Sequence, residues 1–357
     1  MIHNIRTGWP SFLTVGCLVL FLIGSPGVIQ NSHAAGQNFD AGKMILEHVV
    51  DNHEWHIATV GHAHLTIPLP VIILYDGRIT AFWSSKFHNP EHTFRGFKLE
   101  DGRIIPVEQQ DGKLKKVIDL SITKTVAGIM ISSVLLLWIF ISIARKYSRN
   151  PKSAPRWIQS LLEPLILFIR DDIAKSSIGE KKYEKYMPYL LTIFFFIFFN
   201  NLLGIIPFFP GGANVTGNIA VTMVMAVFTL IITTISGNRH YWVDIVNTPG
   251  VPWWLKMPVP LMPVVELIGL ITKPFVLMVR LFANITAGHI IVLGFVSLVF
   301  IFGAISEAIG LGVSVVSVAF ILFMDLLELL VAFIQAYVFT LLSALYFGLA
   351  TIEPEHH

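Results

Sequence analysis

Two apolar stretches near the end of the chain limit its fold more than any other feature. They run from about residue 260 to 302 and from about 313 to 352, each around 40 residues. As helix, 40 residues measure about 60 Å, twice the roughly 30 Å hydrocarbon thickness of a bilayer. No compact turn signal splits either stretch into two antiparallel spans, so each reads as one long helix that must be tilted, kinked or broken. Pro274 and the glycines at 269, 288 and 294 are where the first can bend.

The rest of the 357-residue chain fits that setting. It is 54% hydrophobic and 13% charged, against about 25% charged in an average soluble domain. The mean hydropathy is +0.69. These values define a multi-pass membrane protein. The net charge of +2 comes without a basic block, which excludes a nucleic-acid binder. A single cysteine, Cys17, excludes an internal disulfide framework.

The spans set an orientation. Val126 to Ala144 is the first firm span, about 19 residues without a charge, and Arg145, Lys146, Arg149, Lys152 and Arg156 follow it. That flank is cytoplasmic by the positive-inside rule. Residues 157–187 mix apolar and charged positions and read as an amphipathic helix on the inner membrane surface, with a soluble hairpin as the alternative. Tyr189 to Phe209 and Val215 to Ser236 are the next spans. The amides Asn200, Asn201, Asn214 and Asn218 at their outer ends serve either interhelical hydrogen bonding or a hydrated entrance. With the two long helices there are about five crossings, and the C-terminus is cytoplasmic.

Residues 1–35 read as a signal peptide. Arg6 precedes an apolar run from Phe12 to Ile23, and Ser32-His33-Ala34 sets cleavage after Ala34 or Ala35. An uncleaved first anchor is the alternative. Thr14-Val15-Gly16 ahead of Cys17 is a poor lipoprotein box. Residues 36–123 turn soluble in composition, with Asp-Gly steps at 76, 101 and 111 between apolar runs, the pattern of β-hairpins. This predicts a small β-rich domain outside the cytoplasmic membrane, in the periplasm. It holds seven of the thirteen histidines, including His53 and His56, one turn apart if helical, and His62 and His64, on one strand face. A metal site is sterically open to them, but surface histidines are the simpler reading.

The chemistry lies in the last two helices. Arg280 sits in a run otherwise apolar enough for lipid, where an arginine costs from about 3 to more than 10 kcal/mol unless it faces protein, water or a counter-charge. On an ideal helix Asn284 is about 40° round from Arg280, His289 about 180° round, and Glu266 within about 40° some 21 Å along the axis. In the last helix Glu328, Gln335 and Tyr346 form one polar stripe, with Asp325 near it. If the helices cross antiparallel, His289 meets Glu328 on the outer side and Gln335 lies near Arg280. Histidine with a carboxylate exchanges protons at neutral pH, whereas arginine holds its proton. Arg280 is therefore a fixed charge and not a link in a proton wire, unless it is a permanent ion pair with Glu266, Asp325 or Glu328.

Arg280 within Arg-Leu-Phe-Ala-Asn-Ile-Thr-Ala-Gly-His, the preceding Glu266-Leu267-Ile268 and Lys273-Pro274, and the later Gln335-Ala336-Tyr337-Val338-Phe339 with Tyr346 resemble the a-subunit family of F-type ATP synthases. The resemblance spans about residues 124–357. It implies the stator half of the proton channel in the F0 sector, an all-α membrane domain working against a ring of c subunits. It further implies b-type peripheral-stalk subunits as neighbours, the F1 sector as an indirect partner, no cofactor or metal, and a bacterial cytoplasmic membrane. Arg280 would face the c-ring carboxylates, and His289 and Glu328 would serve the outer half-channel. Gln335 would sit beside Arg280, Asn284 would lie on the proton route, and Glu266 toward the cytoplasmic exit. Some members carry Glu and His the other way round, so this chain shows the exchanged arrangement. Nothing carries over to residues 36–123. The chain has no Walker-type phosphate loop, so nucleotide chemistry belongs to partners. The rivals are a histidine-fed metal transporter, an intramembrane hydrolase, for which His-Glu-x-x-His spacing is missing, and an assembly anchor, which has no use for Arg280.

Overall fold

A computed structural model describes residues 50–60, 63–89, 93–100, 102–107, 117–149, 158–206, 211–246 and 261–352, with the single positions 41, 42 and 45. The signal-peptide reading of residues 1–35, the histidines His48, His62 and His92, and the C-terminal tail from 353 lie outside the described residues.

The N-terminal region is built from short strands. In chain order they are β1 (Glu54–Val60), β2 (Ala63–Pro68), β3 (Pro70–Tyr75), β4 (Arg78–Trp83), β5 (Thr93–Phe94), β6 (Phe97–Glu100), β7 (Arg103–Pro106) and β8 (Ile118–Asp119). All pairings are antiparallel: β1 with β2, β3 between β4 and β8, and β6 between β5 and β7. Asp76 and Gly77 make the expected tight turn, both at positive φ (50° and 75°), the geometry that favours Asp-Gly between twisted strands. Val71 and Ile73 project inward from β3 and are fully buried with Phe87, Phe97 and Ile104.

Among the described residues, no cluster of three or more His, Cys, Asp or Glu that could hold a metal forms. His53 precedes β1 and His56 lies within it, so the one-turn helical spacing does not arise; cross-strand pairing of Trp55 with Ile67 draws this segment into a strand. Buried His53 donates through Nε2 to Asp119 Oδ2 at 2.9 Å, and His88 bonds Glu54 at 3.1 Å. Burial pushes the Asp119 carboxyl upward, but the hydrogen bonds from His53 and Ser121 outweigh it and hold the group at about 2.

The longer helices among the described residues are α1 (Lys124–Arg149), α2 (Ile158–Phe168), α3 (Tyr183–Ile205), α4 (Ile219–Ser236), α5 (Arg239–Val246), α6 (Leu261–Ile305) and α7 (Glu307–Thr351). Five of them, α1, α3, α4, α6 and α7, are long and apolar enough to cross a membrane. Strand region and bundle are joined tightly. Asn52 and Asp51 accept hydrogen bonds from the Lys124 and Thr125 amides at 2.8 and 3.0 Å, groups a helix start leaves unpaired. Trp55 is buried against Ala213 and Val215 of the loop before α4.

The segment read as a surface helix runs from α2 through a π-helical stretch (Ile169–Lys175) and one further turn (Ser176–Ile178). Its apolar side is covered by protein: Ile169, Ile173 and Ala174 are fully buried in the main core. That core packs Leu190, Phe194 and Ile197 of α3 and Leu277 and Leu281 of α6 against Phe339, Ala344 and Phe347 of α7. Small residues let α7 approach closely, as membrane helices require. A side chain at Gly348 would run into the backbone carbonyl of Ser177. The C-terminal end of α7 is tied down too. Lys182 Nζ donates to the Thr351 carbonyl at 2.8 Å, and the Asn238 amide donates to the Ala350 carbonyl at 2.9 Å.

Both long helices are unbroken, at 45 residues each, and Pro274 is accommodated inside α6. The connection between them is shorter than the sequence reading from 303 to 312, since only Ser306 leaves the helical path. Gly303 and Gly310 make this possible by packing backbone to backbone, where a Cβ on Gly310 would lie 2.6 Å from the Gly303 Cα. The antiparallel register continues through a Phe295–Phe320 stack with ring centroids 4.0 Å apart.

Candidate functional site

The register begun at Gly303 with Gly310 and Phe295 with Phe320 next brings His289 of α6 to Glu328 of α7. Their Nδ1 and Oε1 atoms are 3.5 Å apart, with the side chains 20% and 12% exposed. Gly288 makes room for the carboxylate: a Cβ there would lie 3.1 Å from Glu328 Cδ and closer to Oε1. Gly204 of α3 lies beside the histidine, where an added Cβ would make ordinary contact with His289 Nε2 at 3.7 Å. Asp325, one turn before Glu328, is within electrostatic reach of both.

Around this pair lies a set of amides and hydroxyls. Thr216 donates to Asn201 Oδ1 at 2.5 Å, Asn201 Nδ2 donates to the Ala332 carbonyl at 3.4 Å, and Thr286 donates to the Gly217 carbonyl at 3.5 Å. These bonds tie the 211–218 loop to α3, α6 and α7. Three buried polar atoms in this set, Asn200 Oδ1, Asn214 Nδ2 and Glu328 Oε1, have no hydrogen-bond partner among the described residues. Orphaned polar atoms in a shared region are the condition under which water enters a protein interior.

Farther along α6, Glu266, Lys273 and Arg280 recur every seven residues, so the stripe drifts only about 20° per step, and Asn284 extends it. Arg280 and Asn284 are exposed on the bundle surface. Arg280 makes no ion pair with Glu266, Asp325 or Glu328 within 4 Å, so the permanent buried pair is absent among the described residues. Buried Gln335 stands level with Arg280 by the helix register, and Tyr346 is within its electrostatic reach.

Below Arg280 the bundle opens. Two adjoining cavities, of about 20 and about 250 Å³, share Tyr241, Lys273 and Leu349. The first is lined by Tyr346 and Thr229, and the second by Glu266, His240 and Asp244. Lys273 Nζ lies 5.7 Å from the Tyr346 ring centroid. His240 Nε2 is 3.3 Å from Asp244 Oδ2, one turn on along α5. Burial, together with the Glu266 charge, pushes the Tyr241 phenol up from its ordinary pKa.

The structure thus joins His289 to Glu328, keeps Arg280 apart from every carboxylate on these helices, and sets Glu266 in a polar cavity with residues the sequence reading passed over. His240 and Asp244 were the ones missed. Their i, i+4 spacing on a short polar helix was the available signal. Gly288 was named only as a bend, although a glycine beside a buried histidine marks a close approach.

An exposed arginine on a membrane-length helix, between a sheltered histidine–carboxylate pair and a polar cavity, defines a multi-pass membrane protein equipped to move ions. Residues 126–348 match the family described as ATP synthase A chain, and residues 44–124 match a domain of unknown function, DUF8433. ATP synthase subunit a 2 of Prosthecochloris aestuarii is 36% identical over 361 residues, covering 95% of this chain and 93% of the relative. ATP synthase subunit a of Chloroherpeton thalassium is 43% identical over 67% of this chain and 69% of its own length. That of Myxococcus xanthus is 42% identical over 70% and 79%. The chain belongs to the ATP synthase A chain family.

Proposed function

We propose that protons cross this chain through two offset half-channels, with Arg280 standing between them. The chain is the proton-translocating stator subunit of the F0 sector of a rotary ATP synthase, and nucleotide chemistry lies with its partners. The observation that carries the path is the exposed Arg280, unpaired with the carboxylates of α6 and α7, with a polar region on either side of it. Protons enter from outside past Asn214, His289 and Glu328, and neutralise a carboxylate on the c ring that faces Arg280 and Asn284. After nearly a full turn they leave by way of Tyr346, Lys273 and Glu266. Arg280 favours the ionised carboxylate as it passes, by the ordinary effect of a nearby opposite charge. It also blocks a continuous leak, because it keeps its proton. Gln335 keeps the buried side of that level polar.

Residues 1–35 act as the signal peptide, residues 36–123 form a periplasmic domain, and residues 124–357 form the channel domain in the cytoplasmic membrane. The basic run after α1 supports a cytoplasmic flank there and a cytoplasmic C-terminus. A helix of 45 residues exceeds the bilayer thickness about twofold. The long helices therefore incline along the c ring, and α2 lies at the inner surface with its apolar side on the bundle. The b-type stalk subunits hold the chain against the ring.

The test is ATP-driven acidification of inverted membrane vesicles with native protein and Arg280→Ala at matched assembly. Pumping vanishes in the variant. Pumping at the native rate would refute the role of Arg280.

A further inference from the structure

We propose that His240 and Asp244 form a proton-collecting pair at the cytoplasmic mouth of the inner half-channel. The inference rests on the assignment of the Glu266 cavity as that half-channel. His240, Tyr241 and Asp244 of α5 line the larger cavity together with Glu266 and Lys273 of α6. Among the described residues, the titratable groups facing His240 are Asp244 and Tyr241 on its own helix and Glu266 and Lys273 opposite. Among the described residues, α7 contributes Leu349 to this cavity, and Ile352 just beyond its end adds to it.

The pair is half open to solvent, at 42% and 39% exposure, whereas Glu266 is set deeper and partly covered. That gradient from open imidazole to sheltered carboxylate is what a relay into a cavity needs. The His240 ring nitrogen and the Asp244 carboxylate, 3.3 Å apart, can hold one shared proton. A histidine changes charge in the pH range of a bacterial cytoplasm.

The need for such a pair follows from proton scarcity. At about pH 7 free protons are near 10⁻⁷ M, so even capture at about 10¹⁰ M⁻¹s⁻¹ supplies only about 10³ per second to a single buried carboxylate. A surface pair that collects from buffer and holds a proton beside the cavity raises that supply. The demand is greatest during ATP-driven pumping, when protons enter from the cytoplasm, and it grows as pH rises. During synthesis the same pair only receives protons that already arrive from the ring.

The experiment measures initial rates of ATP-driven acidification in inverted vesicles, whose medium is the cytoplasmic side, over a medium pH series. Native protein is compared with His240→Asn, Asp244→Asn and Glu266→Gln at matched assembly. The expected result is that His240→Asn slows pumping at least about threefold at alkaline pH and little at acid pH, a loss of focused proton supply. Added imidazole buffer restores its rate, and synthesis stays near native. A pH-independent defect that imidazole does not restore would mark a structural role and overturn the proposal. Native rates for His240→Asn together with slow pumping for Glu266→Gln would overturn the collecting pair alone. Native rates for both variants would overturn the cavity assignment as well.

Discussion

Gly288→Ala separates the function of α6 from its stability. The new Cβ would lie 3.1 Å from Glu328 Cδ, 3.2 Å from Cγ and nearer still to Oε1, inside the range where ordinary contacts begin. Glu328 is flexible, so its carboxyl group retreats, and relief of the overlap takes about 1 Å. The His289–Glu328 separation, 3.5 Å in the native chain, then exceeds 4 Å, whereas proton transfer requires about 2.6–3.2 Å at the moment of exchange. A misplacement of about 1 Å costs up to 10²-fold in rate. We expect proton flux to fall between about 10- and 100-fold. The helix itself gains, because alanine is favoured over glycine by about 1 kcal/mol in a helix interior. Assembly is therefore preserved while conduction is lost. The assay is passive proton conductance of vesicles stripped of F1, with subunit abundance measured in parallel. Native conductance in Gly288→Ala would refute the close-fit argument, and equal loss of abundance and flux would assign the defect to folding.

Gly348→Ala behaves in the opposite way. Its Cβ meets the Ser177 carbonyl, a backbone atom that cannot rotate aside, so α7 is forced off its neighbour at about 1–3 kcal/mol. The subunit should decline in membranes and lose thermal stability, and unchanged levels would refute the contact. In the strand region, the Asp119 carboxyl is held at about 2, below its ordinary 3.8. A lowered acid contributes stability fully above its unfolded value and loses it as pH falls toward the folded one. Amide-exchange protection of β3 and β8 should therefore weaken between about pH 4 and pH 2. With one face of Asp119 open to water, the effect is about 1 kcal/mol. Asp119→Asn should remove that dependence, and an unaltered acid profile in the variant would refute it.

The two long helices and the meeting of His289 with Glu328 were readable because periodicity and apolar length act along one chain segment at a time. The register that puts Gln335 level with Arg280 followed from the same antiparallel crossing. The turn at Ser306 was hidden because glycines punctuate loops and also permit close helix packing, and Gly303 and Gly310 do the latter. Residues 157–187 mix apolar and charged positions in the sequence, and an apolar face is covered equally well by lipid or by protein. Only the tertiary structure shows Ile169 and Ile173 packed inside. The cavity beneath Arg280 was not readable either, since it draws on α4, α5, α6 and α7, which no local pattern relates.

The ties at the end of α7 bear on the machine as a load-carrying object. The last carbonyls of a helix usually fray, yet here Ala350 and Thr351 are gripped by Asn238 and Lys182 from two different parts of the bundle. On the proposed stator role, a c ring turning past this wall pushes it sideways at every step, and any elastic give in the wall is work that never reaches the shaft. Three helix ends knotted at one level turn separate rods into a stiff bracket. Loosening that knot would leave every titrating group in place and still let the motor slip.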